Sequence, residues 1–438
     1  MRGHVLFISM LLTAVSAAQA PPSATGVDQS SKMATPPPVS GLAYATQVGS
    51  EMRRNYVRGG LTYSTSYVDN YLGVSSTTPI AETIMSVLPV IALDASSERQ
   101  QIVATYSPGF TFYEPSSILN EIDNTASVDY ALGLTTHSTI HATERFQDSS
   151  SPFSPLDSAG AISGIPVTTT PGIVPPFAKR LSNSVNAGIT AQTGLNEMFG
   201  VSGAATLLHY PNSAQTPGLY DSSSRGGTGF FSHRLSASQY VGVTYQFMDL
   251  LTTPTNGESS TRTSTPMGFY TIYPSRDLSF SIAGGPQYYQ VAGTLVSKVS
   301  GWAPSITASM GWQSGRTSLA ASYSHTVTGG GGVVGAYDTD GANATLRWQL
   351  ARAWTATGSG GYFLNKSVGG SLETETGNGH SLTESATVQH PIHGQVSLTF
   401  GYDHVHQSYG QVAAIAANPD SNRVSVSITW NFLRPLGK

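Results

Sequence analysis

The stretch Asn422–Phe432, NRVSVSITWNF, decides the fold. Val424, Val426, Ile428, Trp430 and Phe432 alternate with Ser425, Ser427, Thr429 and Asn431. Successive side chains of a strand point to opposite faces, so the segment is apolar on one side and hydroxyl-rich on the other. Its length suits a tilted membrane-crossing strand, and its aromatics fall at one end, where an interfacial girdle sits. Soluble sandwiches also alternate, so the reading turns on whether the rest of the chain repeats the pattern.

From about Gly59 it does. Leu61, Tyr63 and Tyr67 alternate with Thr62, Ser64 and Ser66. After a loop read through 75–97, apolar faces follow at Ile102–Phe112, Val128–Leu134 and Val185–Ala191. Further strands are read near 199–210, 227–235, 239–250, 262–273, 276–290, 302–313, 315–327, 340–350, 353–366, 380–390 and 394–406. With the last stretch this predicts an all-β fold: a single transmembrane antiparallel up-and-down β-barrel of about 16 strands, range roughly 14–18. Short turns such as 236–239, 313–316 and 351–353 alternate with Gly/Ser/Asn-rich loops such as 146–182, 327–340 and 407–421. Outer-membrane barrels sort short periplasmic turns from longer external loops, whereas a soluble all-β fold has no reason to.

Composition points the same way. The chain has 438 residues and a formal net charge of −4, which excludes the basic field of a nucleic-acid binder. Charged residues make up 11%, against about 25% in soluble domains. The hydrophobic fraction is only 39%, and no stretch is long and apolar enough for a transmembrane helix. The absence of cysteine excludes disulfides and thiolate metal sites. At the N-terminus, Arg2, the apolar core Val5–Val15 and Ala18-Gln19-Ala20 read as a secretory signal over 1–20. Residues 21–57 read as a flexible Pro/Ser-rich segment and 58–438 as the barrel.

The region Leu61 to about Leu134 also resembles the outer-membrane β-barrel porins grouped with exopolysaccharide or exosortase systems. The resembling motifs are YSTSYVDNYL at 63–72, IAETIMSVLPVIAL at 80–93, ATYSPGFTFYE at 104–114 and NEIDNTASVDYALGL at 120–134. They cover about a fifth of the chain. The resemblance implies a barrel in the cell outer membrane, with a possible role beside exopolysaccharide export. Barrel-assembly machinery commonly reads a terminal aromatic; here Leu433-Arg434-Pro435-Leu436-Gly437-Lys438 follows, so Trp430 and Phe432 are the candidates to serve from within.

With the apolar faces outside, the lumen is lined by Ser, Thr, Asn and Gln, including Thr105, Ser107, Thr135, Thr190, Thr244, Ser305, Thr307, Thr345 and Ser425. The pore-lining candidates are Asp129, His137, His141, Asn186, Gln246, Asn343, Arg347 and Ser427. A barrel this wide cannot fill its interior with side chains, and hydroxyls and amides suit neutral polar solutes. The prolines of SPFSPLD and IPVTTTPGIVPPFAKR stiffen loop 146–182, for which two readings stand, an external cover or a segment folded into the mouth that narrows it. Catalysis is not expected. In Tyr323-Ser324-His325 alternation sends serine and histidine to opposite faces, and Tyr402, His404 and His406 read as a lipid-headgroup girdle. Gly329–Gly332 lacks the lysine and helix of a phosphate loop, and Asp338, Asp340 and Asn343 lack the glutamate of a calcium loop, so no cofactor or metal is expected. The expected partners are outer-membrane lipid, lipopolysaccharide and the barrel-assembly machinery, with exopolysaccharide from the resemblance. Two functions compete: a passive porin-like channel for small or oligomeric polar solutes, and a non-conducting structural or adhesin-type barrel presenting its loops. Energy-coupled transport is disfavoured, because the roughly 40 residues before the first strand are too few for a plug domain.

Overall fold

The computed structural model describes residues 55–71, 80–150, 173–174, 177–212, 218–254, 257–294, 298–330, 332–368, 378–409 and 420–436. The signal read over 1–20 and nearly all of the segment read over 21–57 lie outside them. So do SPFSPLD and most of IPVTTTPGIVPPFAKR.

The described chain is a run of strands: β1 Tyr56–Val68, β2 Glu82–Ser96, β3 Gln100–Glu114, β4 Glu121–Gly133, β5 Ser138–Ser149, β6 Arg180–Gln192, β7 Glu197–His209, β8 Asp221–Ser236 and β9 Gln239–Thr253. The second half holds β10 Ser259–Ser275, β11 Leu278–Gly293, β12 Val299–Ser314, β13 Thr317–Gly329, β14 Ala336–Ala351, β15 Trp354–Val368, β16 Gly379–His393, β17 Val396–Tyr409 and β18 Asp420–Pro435. One 3-10 turn, Ser117–Leu119, interrupts them. Each strand pairs antiparallel with its sequence neighbours. β1 and β18 pair from Tyr56↔Pro435 to Val68↔Arg423, which closes the sheet on itself.

The barrel has 18 strands, not about 16. The two additions are β2, within the loop read over 75–97, and β5, which begins between the strand read to Leu134 and the loop read from 146. β2 has apolar residues on both faces: Ile84 and Leu88 are buried on the inner side while Ile91 and Leu93 are exposed on the outer. It also carries Pro89, which removes a ladder donor and argues against a central strand. There the β2–β3 ladder passes from Val87↔Phe110 to Ile91↔Tyr106, and the Ser107 hydroxyl donates to the Pro89 carbonyl at 3.0 Å. In β5 the outward positions include Glu144 and Asp148, which erase the apolar stripe; Glu144 accepts from the Asn183 amide on β6, and Asp148 pairs with Lys179 at 3.4 Å.

Connections are sorted by end. Two-residue turns join Ser236↔Gln239, Ser275↔Leu278, Ser314↔Thr317, Ala351↔Trp354 and His393↔Val396. In the turn after Ser314, Gly315 takes a φ of +45°, a conformation glycine adopts without strain. The start of β1 and the end of β18 lie at this short-turn end. The longest connection, between Ser149 and Arg180, lies at the other. All five tryptophans are exposed on the outer wall, Trp312, Trp348, Trp354 and Trp430 toward the short-turn end and Trp302 toward the loop end. Tyr67, Tyr106, Tyr323, Tyr362 and Tyr402 stand exposed toward the loop end. Strands of 13 residues tilted as in membrane barrels span about 30 Å, enough for the hydrocarbon core.

The closing seam has its own fastening. Phe432 lies over Gly59, where an added Cβ would come within 2.1 Å of the ring. Trp430 packs beside Phe432 at 5.4 Å between centroids, and its indole N–H donates to Gln395 at 3.3 Å.

Candidate pore lining and mouth

The inner wall is built from rows that the register runs through consecutive strands. One row is Thr399–Ser427–Ser64–Ser86–Thr111, crossing the seam from β17 to β3. A second is Thr271–Ser281–Ser309–Ser322–Asn343, from β10 to β14. Neighbouring hydroxyls bond along and beside these rows: Thr271 with Ser281 at 2.5 Å, Thr62 with Thr429 at 2.9 Å and Ser86 with Thr111 at 3.3 Å. The positions between them along each strand, such as Val426, Tyr63, Ile282 and Tyr323, are exposed on the outside. Along these rows the wall is two-faced, and 18 strands are too many for side chains to fill the bore.

Large inward rings lie flat against the wall. Phe230 covers Gly200 on β7, Phe269 covers Gly242 on β9, and Phe363 covers Gly341 on β14. A Cβ at Gly200 would sit 2.2 Å from the Phe230 ring, so the missing side chain is what lets the ring lie down.

Three inward charge pairs line the wall. Arg423 donates to Asp403 through Nε at 3.0 Å and Nη2 at 2.6 Å, both residues buried. Arg145 stands 3.9 Å from Asp129, and Arg58 stands 3.8 Å from Asp94. Unpaired buried charge is costly, so the members of each pair stabilise each other, whereas Arg347 faces inward outside them.

The register puts most pore-lining candidates on this inner face. Asp129 pairs across to Thr143 on the same side as His141, and Thr143 pairs in turn with Asn186. Gln246 stands opposite Thr265, Arg347 opposite Ser318, and Ser427 opposite Ser64. Asn343 is inward and exposed. His141 and Asn186 share one patch with Asp129 and Arg145, whereas Gln246, Asn343, Arg347 and Ser427 are spread over other strands. His137 departs from the expectation. It lies in the exposed turn after β4, where its N–H donates to Thr135, and so stands at the barrel rim with that residue rather than on the strand wall. Ser324 faces inward near Gly341 while His325 faces outward, 3.0 Å from Asp340, so the two lie on opposite sides of the sheet.

The mouth at the loop end holds what the sequence could not specify. Val174 reaches β17, where its N–H donates to the Gln407 side chain at 3.1 Å and its carbonyl accepts from the same amide at 2.7 Å. Ile173 is buried among Leu208, Tyr210, Leu219, Val333, Tyr337 and Tyr409, which come from β7, β14, β17 and the connections beside them. Val174 packs on the other side against Val68, Tyr71, Ile84, Tyr113 and Val405. Two adjacent residues thus join two apolar clusters, one borne by β7, β14 and β17 and the other by β1, β2, β3 and β17, so Ile173 and Val174 lie inside the mouth. Below them, Thr339 donates to Asn365 at 2.8 Å and Asn365 donates to the Tyr409 hydroxyl at 2.6 Å. Burial pushes the Tyr210 hydroxyl up to about 12, so it stays neutral within its cluster.

No protein-family model and no curated protein sequence matches the chain. Among solved structures it is similar to the ferric citrate transporter FecA in its unliganded form, at 12% identity and a TM-score of 0.44 over 82% of this chain and 61% of that one. The chain thus spans about three-fifths of that transporter. It is also similar to OccK5 (OpdH) of Pseudomonas aeruginosa, at 9% identity and a TM-score of 0.41 over 86% and 99% of the two chains. OccK2 (OpdF) of the same organism gives 11% and 0.42 over 87% and 98%.

Proposed function

We propose that this chain is an outer-membrane β-barrel of a Gram-negative-type envelope, acting as a passive channel for small or oligomeric polar solutes. The observation that carries the proposal is the two-faced wall: apolar side chains with aromatics toward both ends outside, rows of hydroxyls and amides inside. The hydroxyl-rich rows, with three of the inward charge pairs neutralised internally, support neutral solutes over an ion-selective role. The resemblance of residues 61–134 to barrels grouped with exopolysaccharide systems makes neutral oligosaccharides the first solutes to try. Secretion through a signal at 1–20, assembly cued by Trp430 and Phe432, and contact with lipopolysaccharide belong to the same proposal.

A second reading, a non-conducting barrel that presents its loops, is favoured by one observation: Ile173 and Val174 are packed into apolar clusters inside the mouth. Planar-bilayer recording of the purified mature chain separates the two. Discrete conductance steps that report passage of neutral sugars by partial block support the channel; a folded, inserted and silent protein supports the structural barrel.

A further inference from the structure

On the outer wall near the loop end, one row breaks the apolar face. Across β8, β9, β10, β11 and β12 the register aligns Arg225, Asp249, Arg262, Gln290 and Ser300. One alternation step toward the membrane lies a second row, Gly227, Phe247, Ser264, Tyr288 and Trp302. Both rows face outward, since Phe247 and Trp302 are exposed while Thr228, Thr263 and Val291, each one position from a row member along its strand, are buried on the lumen side.

Asp249 holds both arginines. Arg225 donates to Oδ2 through Nη2 at 2.9 Å and Nε at 3.3 Å, and Arg262 donates to Oδ1 through Nε at 3.2 Å. The carboxylate is 9% exposed, but the arginine side chains are 76% and 58% exposed. One aspartate neutralises one arginine, so the row keeps a net positive charge and directs its remaining guanidinium N–H groups outward. The next outward carboxylate on β8, Asp221, is engaged by His209 at 2.6 Å. Two guanidinium groups fixed side by side match the acceptor oxygens of a phosphate group. The row beneath supplies an apolar and aromatic track, with Tyr288 and Trp302 at 5.3 Å between centroids and Trp302 67% exposed. Such rings pack against both sugar faces and acyl chains.

We infer that Arg225 and Arg262 form a binding site for the phosphate of an outer-leaflet phosphoglycolipid, whose sugar and acyl chains lie along Tyr288, Trp302 and Phe247. This rests on the reading that the outer wall lies in a bilayer. A chain that fails to enter vesicles would sink that reading, whereas one that inserts and retains no lipid sinks only this site.

The test titrates the full mature chain in non-ionic detergent with diphosphoryl lipid A, following bound lipid by native mass spectrometry. Parallel arms use phosphatidylglycerol and inorganic phosphate. Wild type is expected to retain lipid A saturably. Arg225→Gln/Arg262→Gln should bind it roughly tenfold or more weakly, with unchanged heat-modifiable mobility and conductance. If the double variant does not fold, Arg225→Gln alone should weaken binding and Arg225→Lys restore part of it. Equal retention by wild type and variant would overturn the inference. So would equal affinity for inorganic phosphate, which marks a simple anion site, or for phosphatidylglycerol, which marks unspecific attraction to anionic lipid.

Discussion

Gln407→Ala isolates the contact that holds Val174 in the mouth. The side chain makes two hydrogen bonds to Val174, one accepted at 3.1 Å and one donated at 2.7 Å. At about 1 kcal/mol net for each, their loss favours the released segment by about 2 kcal/mol, roughly a 30-fold change in the ratio of released to seated mouth. Ile173 remains buried, so the variant should visit a wide state more often without living in it. Ile173→Ser removes the apolar anchor, about another 2 kcal/mol. The double variant should therefore shift the ratio several hundredfold and leave a persistently wider channel. Gln407→Glu sets a buried carboxylate against the Val174 carbonyl, so it should release the segment at least as much as alanine does. The assay is single-channel recording in planar bilayers, scored as the fraction of time at the largest conductance. Heat-modifiable gel mobility confirms that each variant is folded. If Gln407→Ala and the double variant both match wild type in conductance and dwell times, the segment does not restrict passage and the reasoning fails.

Other expectations follow from the wall itself. Ile428→Arg places an arginine on the lipid face at a cost of about 2–4 kcal/mol near the midplane and should prevent assembly, whereas Asn343→Arg, facing the lumen, should assemble and move the reversal potential toward anion preference; like behaviour of the two would refute the facing assignment. Gly59→Val must displace the Phe432 ring from the β1–β18 seam, costing about 1–3 kcal/mol; the folded band on gels should be lost at lower temperature than in wild type. Arg423→Ala strands the buried Asp403 carboxylate and should destabilise the barrel by about 3–5 kcal/mol, with Arg423→Met/Asp403→Leu recovering most of it, as judged by urea unfolding.

The legible part of the fold was the part in which a strand separates lipid from water. Over 342–350 of β14 and 424–432 of β18 nearly every second residue is apolar and turned outward while the residues between face the lumen. β2 hid itself because the mouth cluster needs Ile84 inside while lipid needs Ile91 outside, so the contrast that marks a strand disappears. β5 hid itself because Glu144 and Asp148 stand on the lipid side with partners on or beside β6, which the sequence does not pair with them. The lumen candidates share this logic: Asn343 and Ser427 follow from alternation, while His137 depended on where β4 ends and fell in the turn. The grip of Gln407 on Val174 joins residues 233 positions apart, and no local periodicity encodes such a meeting. Rings over glycines are partly readable, since Phe230 and Gly200 are each conspicuous, but their pairing needs the register.

The most direct test of the two-faced, water-filled wall uses the absence of native cysteine. Asn343 and Ala344 are neighbours on β14, both exposed and pointing to opposite sides. Asn343→Cys and Ala344→Cys proteins are recorded in planar bilayers while a membrane-impermeant cationic thiol reagent is added to the bath. A step-wise fall in current for Asn343→Cys with none for Ala344→Cys is the predicted result. Modification of Ala344→Cys alone, or equal modification of both, would contradict it.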